Sequence, residues 1–234
     1  MKQLIVFAAV ALALASCEKQ KRECPGAVEQ TFALTGFHRI KAGETFNVTI
    51  TKGNDFSIKA MGCANDLADL DLSISAAGLL DLRYKSYKRD RYRVDFIITL
   101  PQLSSLDLEG ACKATLSGFA GQPAVIRSVL SGASECTVNG TAVNAQVELS
   151  GAATLHLTGN TESLYGNISG NAKLNSYDVA ATEVDISVTG AAKAYVKPLQ
   201  RFFAESSGES RVYYKGNPPV TNLVTSGNGR IIHE

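Results

Sequence analysis

The stretch Glu148-Leu149-Ser150-Gly151-Ala152-Ala153-Thr154-Leu155 decides the fold, because the chain keeps repeating it. Nineteen residues later stands Asn167-Ile168-Ser169-Gly170-Asn171-Ala172-Lys173-Leu174, and twenty after that Ser187-Val188-Thr189-Gly190-Ala191-Ala192-Lys193-Ala194. Variants of the same turn (EGAC, SGAS, SGES, SGNG) extend the series in both directions. Gly110, Gly132, Gly151, Gly170, Gly190, Gly208 and Gly227 follow one another at intervals of 18 to 22 residues. A period near 19 is the length of one β-solenoid coil. A coil cannot bury its own apolar face, so the seven must stack into one rod.

Aligned on the glycines, the coils read as columns. Two residues before each glycine come Leu108, Leu130, Leu149, Ile168, Val188, Ser206 and Thr225; four after it come Ala114, Cys136, Leu155, Leu174, Ala194, Val212 and Ile231. These columns point inward. The position two after the glycine is always small, as a tight corner requires. A second corner falls eight after it, at Gly118, Gly140, Gly159, Asp178, Pro198 and Gly216. Upstream, residues 28–102 alternate in strand fashion, with Phe46/Val48/Ile50, Phe56/Ile58/Ala60, Leu70/Leu72/Ile74, Leu80/Leu82 and Val94/Phe96/Ile98 each on one face. Residues 61–69 have room for one short turn of helix. The fold class is therefore all-β: a β-solenoid over residues 103–234, preceded by a β-rich region over residues 28–102.

Residues 1–16 stand apart. Lys2 precedes an apolar run from Leu4 to Ala15, which has the length of a signal peptide and is too short to span a bilayer. The run ends Leu14-Ala15-Ser16-Cys17, which resembles a bacterial lipobox; the resemblance implies cleavage before Cys17 and acylation of Cys17. Residues 17–27, polar and carrying Pro25-Gly26, read as a tether. The mature chain would be held to a membrane by its lipid. Loss of the leader, with Lys2 its one basic residue, leaves basic and acidic side chains balanced from totals of 23 and 22. Such a balance excludes a general nucleic-acid binder. Cys24, Cys63, Cys112 and Cys136 remain, a sparse set for this length, and are expected as free, mostly buried thiols. Cys112 and Cys136 occupy different columns, which makes a bridge between them awkward.

Further motifs carry a family likeness. Leu34-Thr35-Gly36-Phe37-His38-Arg39-Ile40 is followed by Phe46-Asn47-Val48-Thr49-Ile50 with Lys52-Gly53, then by Ile98-Thr99-Leu100-Pro101-Gln102-Leu103 and the Ser-Gly-Ala corners. Together, over about residues 30–234, they resemble the head GIN domain family, once a domain of unknown function and named as an auto-transporter adhesin head. The resemblance implies a right-handed, pectin-lyase-like parallel β-helix, found in lipoproteins and secreted proteins of Gram-negative bacteria, and it implies adhesion.

No residue cluster announces a reaction. His38, His156 and His233 lie in separate stretches, none with metal-ligand spacing, and there is no nucleophile elbow, phosphate loop or paired-carboxylate motif. No cofactor, metal or catalytic residue is expected. Polysaccharide-cleaving β-helices build a cleft from long loops, whereas these coils barely vary; the longest extra piece lies near Ala120 to Pro123.

The outward columns carry more. Three, five and seven residues past the last glycines stand Lys173; Lys193, Tyr195 and Lys197; Arg211, Tyr213 and Lys215; and Arg230. They would share one sheet face suited to acidic glycans or an acidic surface protein, with tyrosines as stacking platforms. An ordinary solvated sheet face would carry the same residues. The sheet before the corner offers Asp107, Glu109, Glu148, Asp185 and Glu205 against Arg127, so the rod should be electrically two-sided. A secondary candidate is the basic, aromatic stretch from Arg83 to Arg93, with Arg83, Lys85, Lys88, Arg89, Arg91 and Arg93; it reads as a hairpin loop, or as a contact for anionic headgroups or glycans. Two functional classes stand: a lipid-anchored outer-membrane protein that binds or adheres, and a periplasm-facing structural or assembly lipoprotein with no ligand of its own. The face of the membrane, the ligand, the oligomeric state and any disulfide pairing of Cys24, Cys63, Cys112 and Cys136 are left open by the sequence.

Overall fold

The computed structural model describes residues 24–123 and 125–234. The leader, Cys17 and most of the expected tether lie outside the described residues.

The first strands are β1 (Val28–Phe32), β2 (Arg39–Ala42), β3 (Asn47–Lys52) and β4 (Ser57–Gly62); the short helix α1 (Ala64–Ala68) then precedes β5 (Leu70–Ile74), β6 (Leu79–Tyr84) and β7 (Asp95–Leu100). The glycine coils supply β8 (Ser105–Leu108), β9 (Lys113–Ser117), β10 (Val125–Leu130), β11 (Glu135–Asn139), β12 (Asn144–Leu149), β13 (Thr154–Ile168) and β14 (Lys173–Val188). They end with β15 (Lys193–Val196), β16 (Pro198–Ser206), β17 (Arg211–Tyr214), β18 (Val220–Thr225) and β19 (Arg230–His233).

Two parallel ladders run the length of the molecule. The first stacks β6, β2, β8, β10, β12, β13, β14, β16 and β18. The second stacks β7, β3, β9, β11, β13, β14, β15, β17 and β19. The bent strands β13 and β14 belong to both. The parallel stack thus continues across residue 103 into the N-terminal region. It adds a level made of β2 and β3 and, outside that, one made of β6 and β7.

The glycine corners form a spine. All seven glycines have φ between 61° and 74°, a left-handed conformation that costs a residue bearing Cβ about 1–2 kcal/mol. From Gly110 to Gly190 each corner accepts a hydrogen bond from the next: Ala133 N–H donates to Gly110 O, Ala152 to Gly132 O and Asn171 to Gly151 O, each at 2.7 Å. A Cβ on Gly132 would lie 2.5 Å from Gly110 O. The spine has an eighth member without glycine: Glu44 has φ 60°, and its carbonyl accepts from Ala111 N–H at 2.8 Å.

The inward columns fall where the repeat places them, with Leu149, Leu155, Ile168, Leu174, Ile186 and Val188 all buried, except in the last coil, where Thr225 is exposed because no further level covers it. The small residues two after the glycine also face inward, from Cys112 to Ser210, whose hydroxyl donates to Val188 O at 2.8 Å. The extra piece near Ala120 folds back so that the buried Gln122 amide bonds both backbone polar groups of Leu103.

The two ends differ. Antiparallel strands close the N-terminal end: β5 lies against β6, while β4 lies against β7 and is followed by β1. Cys24 and Cys63 form a disulfide that ties the chain ahead of β1 to the residue before α1. This corrects the expectation of four free thiols, since antiparallel pairing of distant segments brings these two together. Cys112 and Cys136 are buried thiols outside any disulfide, and burial pushes the Cys136 thiol up to about 12. At the other end β18 and β19 are each paired on one side, and every residue of β18 is exposed.

Candidate functional site: the sheet faces

On the second sheet, register brings the expected basic residues into line. Lys173, Lys193, Arg211 and Arg230 are successive partners across β14, β15, β17 and β19, and Tyr195 pairs with Tyr213 beside them. The spacing of parallel strands, about 4.8 Å, suits the tyrosines: the Tyr195 and Tyr213 rings stack at 4.9 Å with 8° between planes. Tyr177 meets Tyr195 edge-on at 5.4 Å and donates its hydroxyl hydrogen to Glu234 Oε2 at 2.7 Å. Burial, and then the Glu234 carboxylate, hold the Tyr177 phenol above its usual range. Lys215 Nζ sits 4.3 Å from the Tyr177 ring centre, and Lys173 Nζ 5.1 Å from that of Tyr195. Lys197 continues the outer row, since Lys215 N–H donates to Val196 O in the next level. None of Lys173, Lys193, Lys197, Arg211, Lys215 and Arg230 has an ion-pair partner among the described residues.

The first sheet is more balanced than the sequence suggested. Glu148 is bridged by Arg127 at 2.6 Å, Glu109 by Lys41 at 2.8 Å, and Glu183 by Arg201. The carboxylate of Glu109 raises the Lys41 amine, chiefly through its hydrogen bond, while burial raises the Asp107 carboxyl. Lys41 was missed because its level carries Glu44 where the seven repeat coils carry glycine. Toward the C-terminal end, Asp185 and Glu205 have no such partner among the described residues.

The secondary basic stretch is not a hairpin. Its flanking strands β6 and β7 lie on different sheets of one level, so residues 85–94 lead from the first sheet to the second, the place that the glycine corner takes in the later levels. Most of its charge is used within the protein. Arg91 is buried, bonds both Asp66 and Asp69, and lies 3.6 Å from the centre of the Tyr84 ring. Arg83 pairs with Asp71 and Asp81, Lys88 with Asp69, Arg93 with Asp95, and Lys85 donates to Ala68 O. Arg89 is exposed at the tip. Asp66 of α1, Asp69 at its C-terminal end and Asp71 of β5 are brought under the loop by the antiparallel cap, while Asp81 and Asp95 come from the flanking strands β6 and β7.

Of the histidines, His156 lies within 3.2 Å of the Asn175 amide, His233 bonds Gly216 O and stacks on Tyr214, and His38 packs beside Gly78. No group of three or more His, Cys, Asp or Glu side chains poised for a metal occurs among the described residues, and no described helix is long and apolar enough to cross a membrane.

Solved structures share this architecture. A "putative adhesin" from Bacteroides fragilis superposes with a TM-score of 0.81 at 18% identity, over 90% of this chain and 98% of that one. A "putative lipid binding protein" from Parabacteroides distasonis gives 0.70 at 15% identity, over 90% and 97%. A "putative adhesin" from Parabacteroides merdae gives 0.65 at 17%, over 91% and 98%. These likenesses are of fold. No curated protein sequence matches the chain. The family model described as "Putative auto-transporter adhesin, head GIN domain" matches residues 36–218, from the approach to β2 to the corner after β17, and the chain belongs to that family.

Proposed function

We propose that this protein is a cell-envelope lipoprotein, anchored through Cys17 to the outer membrane, whose β-helix head is a non-catalytic adhesion module. The contact surface is the basic face of the second sheet, and its ligand is an acidic glycan or an acidic surface protein. One observation carries the reading: Lys173, Lys193, Arg211 and Arg230 stand in register without an ion-pair partner among the described residues, beside the Tyr195–Tyr213 stack. Like charges about 4.8 Å apart repel. An acidic polymer relieves that repulsion, and its binding weakens as salt rises. The family description and the adhesins of like fold agree with a binding role.

Heparin and polygalacturonate serve as probes. The parent should bind them in a salt-dependent way, and the Lys193→Glu/Arg211→Glu double variant should fold normally and lose the binding. A double variant that binds like its parent removes this face from the proposal. The second reading, a periplasm-facing assembly lipoprotein, draws on the open ladder at β18, where Val220, Leu223 and Val224 are exposed. Protease treatment of intact cells separates the two, because an outward-facing head is cut and a periplasmic one is spared. Mass spectrometry of the mature N-terminus tests acylation of Cys17.

A further inference from the structure

The first sheet holds a depression that the adhesive reading of the basic face does not use. It has a volume of about 520 Å³ and opens over β13, β14, β16 and β18. Register sets out its contents. In one outward column Tyr165 pairs with Asp185, Asp185 with Phe203 and Phe203 with Asn222. In the next, Asn167 pairs with Ser187, Ser187 with Glu205 and Glu205 with Val224. Two half-buried aromatic rings are therefore separated by one short acidic residue. Two strand spacings put their backbones about 9.6 Å apart. A third ring held between two others at the close end of aromatic stacking distances needs about 9–10 Å. The slot is one ring thick.

Its polar groups are uncommitted. Asp185, Glu205, Asn167 and Asn222 are exposed, and none makes an ion pair or side-chain hydrogen bond among the described residues. The neighbouring cation, Arg201, is taken by Glu183. Apolar ring faces flanking convergent acceptors make a site for a molecule with an apolar face and a rim of donors. A pyranose has that form: its C–H faces lie on aromatic rings, and its hydroxyls donate to carboxylates in charge-assisted bonds. Two unpaired carboxylates and no free cation repel uronates, sulfates and phosphates. We propose that the Tyr165–Phe203 slot binds an uncharged pyranose unit of an oligosaccharide, a ligand class opposite to that of the basic face.

The test uses the mature protein with four uncharged tetrasaccharides as probes (cellotetraose, maltotetraose, mannotetraose and tetra-N-acetylchitotetraose) and a hyaluronan tetrasaccharide as the acidic comparator. Titration is followed by NMR to low-millimolar concentration, the range of weak contacts. At least one uncharged probe should bind, and Tyr165→Ala and Phe203→Ala should each weaken it by roughly tenfold or more, equivalent to about 1.4 kcal/mol. Asp185→Asn, at an exposed position that the fold does not need, should weaken it as well. The Lys193→Glu/Arg211→Glu variant should bind as the parent does, so this result is independent of the basic face. The proposal is overturned if no uncharged probe binds, if binding survives all three slot substitutions, or if the hyaluronan fragment binds there instead. Binding of chitosan tetramer without binding of the acetylated probe overturns it too, in favour of a cation site.

Discussion

A single glycine in this molecule answers to its neighbour one level away. Gly151 has φ 68°, and a Cβ there would stand 2.7 Å from Gly132 O, a backbone atom fixed by its own hydrogen bond. Gly121 has nearly the same φ, 66°, but a Cβ there would meet nothing within 4 Å. Two costs that usually arrive together are thus separated. Gly121→Ala should lose only the left-handed strain, about 1–2 kcal/mol. Gly151→Ala should lose clearly more, because corner and spine must part. Urea denaturation of the two variants checks this; equal losses would mean that the spine yields. The corner glycines were legible in the sequence because their steric demand recurs with each coil. Glu44 was not legible. It adopts the same conformation without the residue that signals it, so the level containing Lys41 and Phe46 was read as ordinary strands.

The loop between β6 and β7 shows how an element can look like a binding site and act as a fastener. Its sequence is rich in arginine, lysine and tyrosine, yet α1, the residue that follows it and β5 supply Asp66, Asp69 and Asp71 beneath it. Sequence reading could not pair these groups, because the partners lie 12 to 25 residues away and meet only through an antiparallel cap that no local period encodes. The bond from Arg91, ahead of that from Ser86, holds the Asp69 carboxyl below the usual carboxylate range. A carboxyl whose folded pKa is depressed stabilises the fold above its unfolded value near 4. That contribution is lost as pH falls through the folded value. Acid should therefore loosen this cap, and Asp69→Asn should destabilise at neutral pH while flattening the acid limb of the stability profile. Thermal melts of parent and variant from neutral to strongly acidic pH provide the check, and parallel profiles would deny Asp69 the role. The slot on the first sheet was hidden for a related reason. Tyr165 and Phe203 lie 38 residues apart, and only the register of three strands makes them flank Asp185.

At the scale of the whole molecule, one end is finished and the other is open. In a linear array, stability is close to a sum of levels and their interfaces. The last level, held on one side and with all of β18 exposed, has fewer such terms than any interior one. Amide hydrogen exchange should be slowest through β10 to β15 and fastest in β18 and β19. Uniform protection would show that the rod opens only as a unit. The rod itself was legible in the sequence from the inward columns, which repeat seven times; the order of its first levels was not. Residues 39–52 lie between levels made from residues 79–100 and 105–117, so the chain builds outward on one side before crossing to the other.

That crossing gives assembly a direction. A chain delivered N-terminus first completes the cap, its disulfide and two closed levels by about Leu100, before the first glycine corner has emerged. The cap blocks one end, so every later coil must crystallise onto the single remaining front, each step closing a loop of only about twenty residues. The protein should thus grow as a seeded polymer does, with a slow start and rapid additions. An error in the seed would cost the whole rod, while an error in the last coil would cost only that coil.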